Sequence, residues 1–287
     1  MNSVQSCILC GAGIKREPIC LEEYNLELCD ECKILYVSNP PGKDEIRKLY
    51  SSNSGYQKNT RPNRKKVAQM QKHSRRNFRF FAKYARKGSI LDVGCSYGFF
   101  LQLCSEYQLC GLEINPSTCR YARQELNIQN ISQMSWEEFV KENPTVVFEN
   151  ICFWDVLEHL SCPAKTIEEC HRALSEKGML FIGTPNWQGL FAKVTLRLRR
   201  FFGWYHPEPP YHLFQFCKSS LEFLLKENGF KTVRTEYHHL SIKSKYRRVK
   251  TSTRLHKVLY VALVAPLDMI SRLIGSGDYL MIAAQKE

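Results

Sequence analysis

The stretch that decides the fold is Ser89-Ile-Leu-Asp-Val-Gly-Cys-Ser-Tyr-Gly-Phe-Phe-Leu101, followed by Leu109-Cys-Gly-Leu-Glu-Ile-Asn115. The first part predicts an apolar strand, a turn with two glycines and the start of a helix. The second predicts a short strand that ends on Glu113, nineteen residues after Gly94. A glycine turn lets a ligand approach bare backbone, and an acid at the next strand tip can bind ribose hydroxyls. The sequence therefore predicts a site for a nucleoside-containing cofactor.

The glycine spacing narrows the kind of cofactor. Asp92, Gly94 and Gly98 form Asp-x-Gly-x-x-x-Gly, which differs from the Gly-x-Gly-x-x-Gly of dinucleotide enzymes. No Gly-Lys-Ser/Thr follows for a triphosphate, so a cofactor without phosphates fits better. The alternative is an ordinary strand, turn and helix built from small residues. The position of Glu113 at the end of the next predicted strand favours a binding site over this alternative.

The length and the net charge limit the classes of protein to which this chain can belong. A chain of 287 residues has room for one α/β domain and a smaller module. The 41 basic residues exceed the 28 acidic ones, which gives a net charge of +13. Fourteen Lys and Arg residues and no acid lie between Ile46 and Leu91, where the periodicity predicts a basic helix over about 63–86. The basic helix indicates an anionic binding partner. Alternatively, its charges form a face that is merely exposed to solvent.

Cysteine usage and the N-terminus favour a cytoplasmic protein. The 13 cysteines are odd in number, and the first residues have neither the basic start nor the apolar core of a signal peptide. Reduced thiols are therefore expected. The longest apolar stretch, Val258–Ile270, is too short to span a bilayer, but a peripheral contact with an anionic membrane surface stays open.

Two Cys-x2-Cys knuckles lie near the N-terminus. Cys7 and Cys10 form the first, and Cys29 and Cys32 form the second, with eighteen residues between them. Four thiolates in paired spacing suit tetrahedral zinc, so these residues are predicted to be structural metal ligands. The alternative is four unrelated buried cysteines. We expect a zinc-ribbon-like module at 1–40 and a linker with the basic helix at 41–87.

From residue 88 onward, strand and helix patterns alternate, as expected of an α/β sheet. We expect this domain at 88–287, with an aromatic and proline-rich lid insertion at 186–216 and a C-terminal helical insertion at 241–275. Strands are expected at about 89–93, 109–113, 130–133, 146–154, 179–184, 230–237 and 278–285. Helices are expected at about 44–50, 98–107, 115–127, 136–142, 163–176, 218–228 and 256–274.

Four segments resemble the class I S-adenosylmethionine-dependent methyltransferases in the expected order. Ile90–Gly98 resembles motif I of that family, and Glu113 matches its ribose-binding acid. The segment Ile151-Cys-Phe-Trp-Asp-Val-Leu-Glu-His-Leu160 resembles strand four of the small-molecule branch, and Gly178–Asn186 resembles strand five. The resemblance covers about 88–240. It implies a Rossmann-like sheet of seven mostly parallel strands, with the last strand antiparallel.

The resemblance also implies site residues. Those for S-adenosylmethionine are Asp92, Gly94, Cys95, Gly98, Glu113, Ile114, Trp154 and Asp155. Those for catalysis are Asp155, Glu158, His159 and His212, with His206 a weaker candidate base. A related branch binds a divalent cation here, so Mg²⁺ near Asp155, Glu158 and His159 is a further hypothesis. These residues have an alternative role as loop caps or packed side chains.

One departure concerns the adenine end of the cofactor. The family often carries an acid after strand three, but Ile131–Trp136 has none. Gln133 or Ser135 is left to bind the adenine amino group through a side-chain oxygen.

Three functions compete at this level. The first is methylation of a small-molecule or glycan acceptor, with a hydroxyl as the expected acceptor group. A phosphate-bearing or lipid-linked acceptor would suit the basic helices. The second is an RNA methyltransferase that uses the zinc module and basic arm. Against it, Trp154-Asp-Val-Leu replaces the Asn/Asp-Pro-Pro-aromatic turn of base methylation. The third is a non-catalytic, cofactor-binding adaptor.

Overall fold

The computed structural model describes residues 6–21, 23–42, 45, 62–197, 209, 211–239, 262 and 266–287. Contacts divide the chain into two compact units. The first unit comprises Met1–Pro40, Thr184–Phe223 and Thr235–Met281, and the second comprises Pro41–Gly183, Leu224–Arg234 and Ile282–Glu287.

The described strands are β1 (Ile19–Leu21), β2 (Tyr24–Leu28), β3 (Leu35–Val37), β4 (Ser89–Val93), β5 (Gln108–Leu112), β6 (Ile131–Ser132), β7 (Phe148–Trp154), β8 (Leu174–Pro185), β9 (Phe214–Gln215), β10 (Phe230–His238) and β11 (Tyr279–Lys286). The described helices are α1 (Arg64–Tyr84), α2 (Pro116–Glu125), α3 (Trp136–Glu142), α4 (Pro163–Ala173), α5 (Leu190–Arg197), α6 (Lys218–Glu227) and α7 (266–273).

Seven strands form one sheet in the order β10-β11-β8-β7-β4-β5-β6. β4 pairs in parallel with β5 and β7, β5 pairs in parallel with β6, and β7 pairs in parallel with β8. The predicted Rossmann-like sheet of mostly parallel strands, with one antiparallel strand, is confirmed. The chain leaves β4 for β5 on one side and reaches β7 on the other. Ligands bind where an open α/β sheet reverses its strand order, so β4, β5 and β7 should frame the site.

Central strands form because their side chains are apolar on both faces. Ile90 and Leu91 of β4 and Ile151 and Phe153 of β7 are fully buried. Such two-sided burial is typical of a parallel sheet covered on both faces. It explains why these strands read as continuous apolar runs in the sequence.

The predicted helix at 98–107 is wrong. The chain makes only a short 3₁₀ helix, Leu101–Leu103, in this stretch. Gly98 has a φ of +79°, which is outside the helical region and displaces the start of any helix. Phe99 and Phe100 are both buried, so the apolar residues do not follow the one-sided pattern of a surface helix.

Other elements follow the predicted pattern closely. β4 and α3 have the predicted bounds, and Ser135 and Glu138 form a reciprocal capping box at the start of α3. Asn115 caps α2 by accepting a hydrogen bond from the Ser117 N–H. Three predictions fall mostly or wholly outside the described residues. They are the helix at 44–50, of which only residue 45 is described, residues 198–208 and 210 of the lid, and the basic segment 241–257. Within the described residues, no helix is long and apolar enough to cross a membrane.

The first unit contains a second, smaller sheet. Its order is β1-β2-β3-β9, and every neighbouring pair is antiparallel. The sheet packs on a small core that includes Leu26, Leu35 and Leu196. Leu196 comes from α5, so residues after β8 complete the core of the N-terminal strands.

Candidate active site

A cleft of about 1100 Å³ opens in the second unit, at the carboxyl ends of β4, β5 and β7. A volume of this size suits a nucleoside cofactor together with an acceptor. Seven of the eight predicted cofactor-binding residues line it, namely Asp92, Gly94, Cys95, Glu113, Ile114, Trp154 and Asp155.

The two glycines of the β4 turn act differently. Gly94 lines the cleft with a φ of +71°, and a Cβ there would lie 2.5 Å from Cγ2 of Val156. Gly98 does not line the cleft. A Cβ on Gly98 would lie 3.1 Å from Cβ of Ala122 and 3.0 Å from Cδ1 of Ile128, so this glycine permits close packing behind the turn. Only a residue without a Cβ fits the Gly94 position without strain.

Glu113 is held by two backbone donors. The Ser96 N–H donates to its Oε2 at 2.9 Å, and the Asn115 N–H donates to its Oε1 at 2.8 Å. Each carboxylate oxygen has two lone pairs, so each can accept a further hydrogen bond. The carboxylate thus has a fixed orientation at the rim of β5, where it can accept from a pair of hydroxyl groups.

Asp92 and Glu113 place two buried carboxyl groups at one cleft. Burial raises the pKa of Asp92 well above its usual value, and the neighbouring Glu113 charge raises it further. Burial also raises the pKa of Glu113, although the backbone donors at Asn115 and Ser96 partly oppose that shift. Within the described residues, neither acid forms an ion pair. A ligand with positive charge would therefore relieve an unfavourable arrangement.

Two buried polar atoms at the cleft are orphaned. Trp154 Nε1 and Asn115 Nδ2 have no hydrogen-bond partner in the described part of the chain. Burying an unpaired donor costs about 1–3 kcal/mol. Both residues line the cleft, so a bound ligand with acceptor oxygens or nitrogens would satisfy them. The donors, the acids and the Gly94 turn together fit a cationic nucleoside.

Backbone strain concentrates at the same place. Ser96 has a φ of +51° and Asp155 a φ of +58°, although neither is a glycine. Such conformations cost of order 1 kcal/mol or more and cluster at ligand sites. The Asp155 conformation is fixed by its N–H, which donates to the Gly183 carbonyl at 2.8 Å.

The segment before α3 lines the other end of the cleft, and it contains Gln133 and Ser135. The Ser135 hydroxyl accepts from the Glu138 N–H at 3.2 Å as the cap of α3, so one of its two lone pairs is occupied. The Gln133 side chain makes no hydrogen bond within the described residues. Gln133 is therefore the better placed of the two residues predicted for adenine.

Two of the predicted catalytic residues lie close together, since the ligand atoms of Glu158 and His159 are within 4.8 Å of each other. His159 and Asp155 line the cleft, whereas Glu158 is 1% exposed and is not one of the lining residues. His212 belongs to the first unit, where its carbonyl accepts from Gln215 Nε2 at 3.0 Å. His206 lies outside the described residues. Their catalytic roles stay predictions.

Sequence reasoning missed the contribution of α1. This helix lines the cleft through Gln69, Met70, His73, Ser74 and Asn77. None of these is Lys or Arg. The basic residues of α1 therefore do not line the cleft. A signal for His73 was present, because it falls on the apolar stripe of the helix where a polar residue is unexpected.

Four thiols meet in the first unit. The ligand atoms of Cys7, Cys10, Cys29 and Cys32 all lie within 4.8 Å of one another. Cys7 Sγ lies 3.7 Å from Cys32 Sγ, and Cys10 Sγ lies 3.5 Å from Cys29 Sγ. Sulfurs at the corners of a tetrahedron, about 2.3 Å from a central zinc ion, would be about 3.8 Å apart. The cluster therefore has the dimensions of a four-thiolate metal site.

Comparison with known proteins gives the family. Residues 67–235, more than half of the chain, match the family described as "Methyltransferase domain". A ubiquinone biosynthesis O-methyltransferase of Glaesserella parasuis is 33% identical over 106 residues, which are 34% of this chain and 45% of that protein. A protein of the same name from Pseudomonas paraeruginosa is 26% identical over 104 residues, which are 34% and 44%. The chain spans less than half the length of these two curated relatives.

A solved structure shows the same fold. The crystal structure of a SAM-dependent methyltransferase from Archaeoglobus fulgidus superposes with a TM-score of 0.54 and 19% sequence identity. The superposition covers 75% of this chain and 93% of that chain. At this identity the likeness extends to the fold alone.

Proposed function

Because the chain belongs to the methyltransferase domain family, we propose that it transfers a methyl group from S-adenosylmethionine to an oxygen atom of a small molecule. The observation that carries the proposal is that Glu113 and Asp92 both line the same cleft. Both carboxyl groups are buried, and Glu113 is held by the backbone of the Gly94 turn. This arrangement supports binding of a ribose by one acid and of a cationic group by the other.

The bound sulfonium supplies an electrophilic methyl carbon. Glu113 would accept hydrogen bonds from the ribose hydroxyls, and Asp92 would pair with the α-amino group. Trp154 and Phe100 form an edge-to-face pair, with ring centroids 5.4 Å apart, that makes one wall apolar and limits water access. The chain would also have to hold the acceptor in line with the methyl carbon, which is the main catalytic requirement.

A hydroxyl acceptor needs a general base, and two histidines line the cleft. His159 follows β7 and His73 lies on α1. Either could take the acceptor proton at an imidazole nitrogen. His212 is retained as a third candidate from the sequence. A Mg²⁺ ion at Asp155, Glu158 and His159 is left out of the proposal, because in the described part of the chain Asp155 does not join Glu158 and His159 in a group whose ligand atoms lie within 4.8 Å of one another.

Support for an oxygen acceptor comes from the relatives. The two curated relatives reported above are named O-methyltransferases of ubiquinone biosynthesis. A glycan or lipid-linked acceptor is the finer form of the proposal, and it rests on the basic character of the chain. The same proposal includes a structural zinc ion at the four cysteines, supported by their sulfur separations of 3.5 and 3.7 Å.

A peripheral contact with anionic membranes is part of this finer proposal. Met269, Ile270, Leu273 and Ile274 on and just after α7 are between 44% and 79% exposed. The preceding segment 241–257 contains seven Lys and Arg residues and no acid. An exposed apolar helix face that follows a basic stretch in the sequence is typical of an interfacial helix. Leu273→Glu should weaken sedimentation with vesicles that contain phosphatidylglycerol, whereas Val147→Glu, also on an exposed apolar residue, should not.

Calorimetry and label transfer test the enzyme. Wild-type protein should bind S-adenosylmethionine and its demethylated product with measurable heat. Incubation with methyl-labelled cofactor and a cell extract should place the label in a lipid, sugar or small-molecule fraction. Label in RNA would instead establish the RNA alternative. Cofactor binding without transfer to any fraction would indicate an adaptor, and absence of binding would overturn the proposal altogether.

A further inference from the structure

One face of α1 lines the cleft of the second unit. This cleft face consists of Met70, His73, Ser74 and Asn77. Their three- and four-residue spacing places the four side chains on the same side of the helix. One turn further on, the ring centroid of Phe81 lies 5.5 Å from that of Phe100 and 4.9 Å from that of Phe181 in β8. This packing on the large sheet holds the cleft face in place.

The cleft has room for more than the cofactor. Its volume is about 1100 Å³, whereas a site for one drug-sized ligand holds about 300–1,000 Å³. Apart from Gln133, the residues proposed to bind S-adenosylmethionine lie on β4 and β7 or in the turns that follow β4, β5 and β7. The cleft face of α1 is not among them, so its side chains are left for the acceptor.

The cleft is acidic, although the chain as a whole is basic. In the described part of the chain, five acidic side chains line it and no Lys or Arg does. The five are Asp92, Glu113, Glu137, Glu138 and Asp155. The helix α1 carries eight Lys and Arg residues, and none of them lines the cleft. A phosphate or carboxylate on the acceptor would therefore meet charges of its own sign, which disfavours its binding.

Asn77 supplies a directional contact on the cleft face. Its side chain is 5% exposed, and its Oδ1 accepts from Nε and Nη2 of Arg76 at 3.1 and 3.0 Å. Its Nδ2 donates no hydrogen bond to any residue that the structure describes, although an amide nitrogen has two N–H donors. Buried donors in proteins are normally paired. Since Asn77 lines the cleft, an oxygen atom of a bound acceptor would pair with this donor.

We propose that the cleft face of α1 selects an uncharged acceptor, which carries a second oxygen atom, bound by Asn77, besides the hydroxyl that is methylated. This inference rests on the proposed function, because it defines the acceptor of the same site. The acidic side chains disfavour an anionic acceptor, and the sulfonium of the cofactor disfavours a cationic one, because like charges repel at short range. Neutral phenols and neutral sugars belong to the selected class, whereas phosphorylated sugars and aromatic carboxylates do not.

Fractionation of the acceptors tests their charge. The small-molecule part of a cell extract is passed at neutral pH over an anion exchanger and then over a cation exchanger. Each fraction is incubated with wild-type protein and methyl-labelled S-adenosylmethionine, and we expect at least about tenfold more label in the fraction that neither resin retains. Greater transfer to a retained fraction would overturn the inference and leave methylation of a small molecule standing. Transfer to no fraction would overturn the proposed function, and this inference with it.

Substitution of Asn77 tests the contact. Asn77→Ala should raise the apparent KM for the unretained fraction about five- to tenfold, as expected for the loss of one hydrogen bond. The Kd for S-adenosylmethionine should stay within about twofold. Gln71→Ala is the matched control, because Gln71 is an amide on the same helix that does not line the cleft. An unchanged KM in Asn77→Ala, or a rise in the cofactor Kd by the same factor, would overturn the inference.

A second variant covers the case in which Asn77→Ala does not fold. Asn77→Asp has nearly the same shape, keeps an oxygen that accepts from Arg76 and removes only the Nδ2 donors. We expect it to melt cooperatively near the wild-type temperature, to raise the apparent KM at least as much as Asn77→Ala and to keep the cofactor Kd. A wild-type KM in the folded Asn77→Asp protein would overturn the inference.

Discussion

The Ser96 N–H donates to Glu113 Oε2 at 2.9 Å and so joins the turn after β4 to the tip of β5. Ser96 adopts a φ of +51° to make this bond. Glu113, which we propose binds the ribose, and the glycine turn are separate signals in the sequence, but they form one hydrogen-bonded structure. A substitution in either element should therefore alter the position of the other.

Removal of the Glu113 carboxylate should weaken cofactor binding. In Glu113→Ala, the charge-assisted hydrogen bonds to ribose are lost, which should cost about 1.5–3 kcal/mol, or roughly ten- to a hundredfold in Kd. Calorimetry with S-adenosylmethionine measures the change. Glu106→Ala is the matched control, because Glu106 is exposed and precedes the opposite end of β5. Equal affinities in the two variants would show that Glu113 does not bind the ribose.

The affinity for the cofactor should rise as the pH increases past the pKa of Asp92, which burial raises above its usual value. In the free protein, burial favours the protonated carboxyl, whereas pairing with a cationic ligand favours the ionised form. Binding below the raised pKa should therefore release a proton, which calorimetry in buffers of different ionisation enthalpy detects. Asp92→Asn should bind more weakly and with a smaller pH dependence. An identical dependence in both proteins would contradict this role.

The same burial affects stability in the free protein. The folded-state pKa values of Asp92 and Glu113 lie above their unfolded values. The protonated acids are thus tolerated at low pH, and the free energy of unfolding should fall as pH rises from the unfolded pKa through the folded one. Denaturant titration should show this loss to be smaller in Asp92→Asn.

Gly94→Ala should destabilise the protein and reduce cofactor binding. The new Cβ would meet Val156 Cγ2 at 2.5 Å, and the alanine would have to adopt a φ of +71°. The backbone strain alone costs about 1 kcal/mol, and the overlap adds about 1–3 kcal/mol. Gly275→Ala is an informative control, because Gly275 has a φ of +66° but open space around it. If both variants lose the same stability, the contact with Val156 is unimportant.

The dependence of the turnover number on pH should reveal which histidine acts as the general base. His159→Ala or His73→Ala should lower the turnover number about 10²–10⁴-fold and remove the limb of the pH–rate profile that reports the base, with the cofactor Kd unchanged. His171→Ala serves as control, since His171 packs edge-on against Phe230 and does not line the cleft. If neither variant alters the profile, His212 or solvent takes the proton.

The sequence predicted most of the large sheet because each central strand is apolar on both faces and is bounded by clear turn residues. β4 and α3 have the predicted bounds. The failed helix at 98–107 shows the limit of this approach. Apolar content favoured a helix there, whereas tertiary burial of Phe99 and Phe100 left room only for a 3₁₀ turn.

The site was predicted in part, for a similar reason. Local motifs placed Asp92, Gly94 and Glu113 at the carboxyl ends of strands, where the topology brings them together. The contribution of His73 required knowledge of where α1 packs. The pairing of β3 with β9 joins residues far apart in sequence, and strands of two or three residues carry too little pattern to be recognised.

The pairing of β3 with β9 also affects how the chain folds during synthesis. Synthesis runs from the N-terminus, so the hydrogen-bonding edge of β3 stays open until residue 215 has left the ribosome. Open edges of this kind are templates for association between chains. Fragments that end before residue 211 should therefore aggregate more than the full chain, and expression trials that divide this protein should keep 6–40 and 184–217 together.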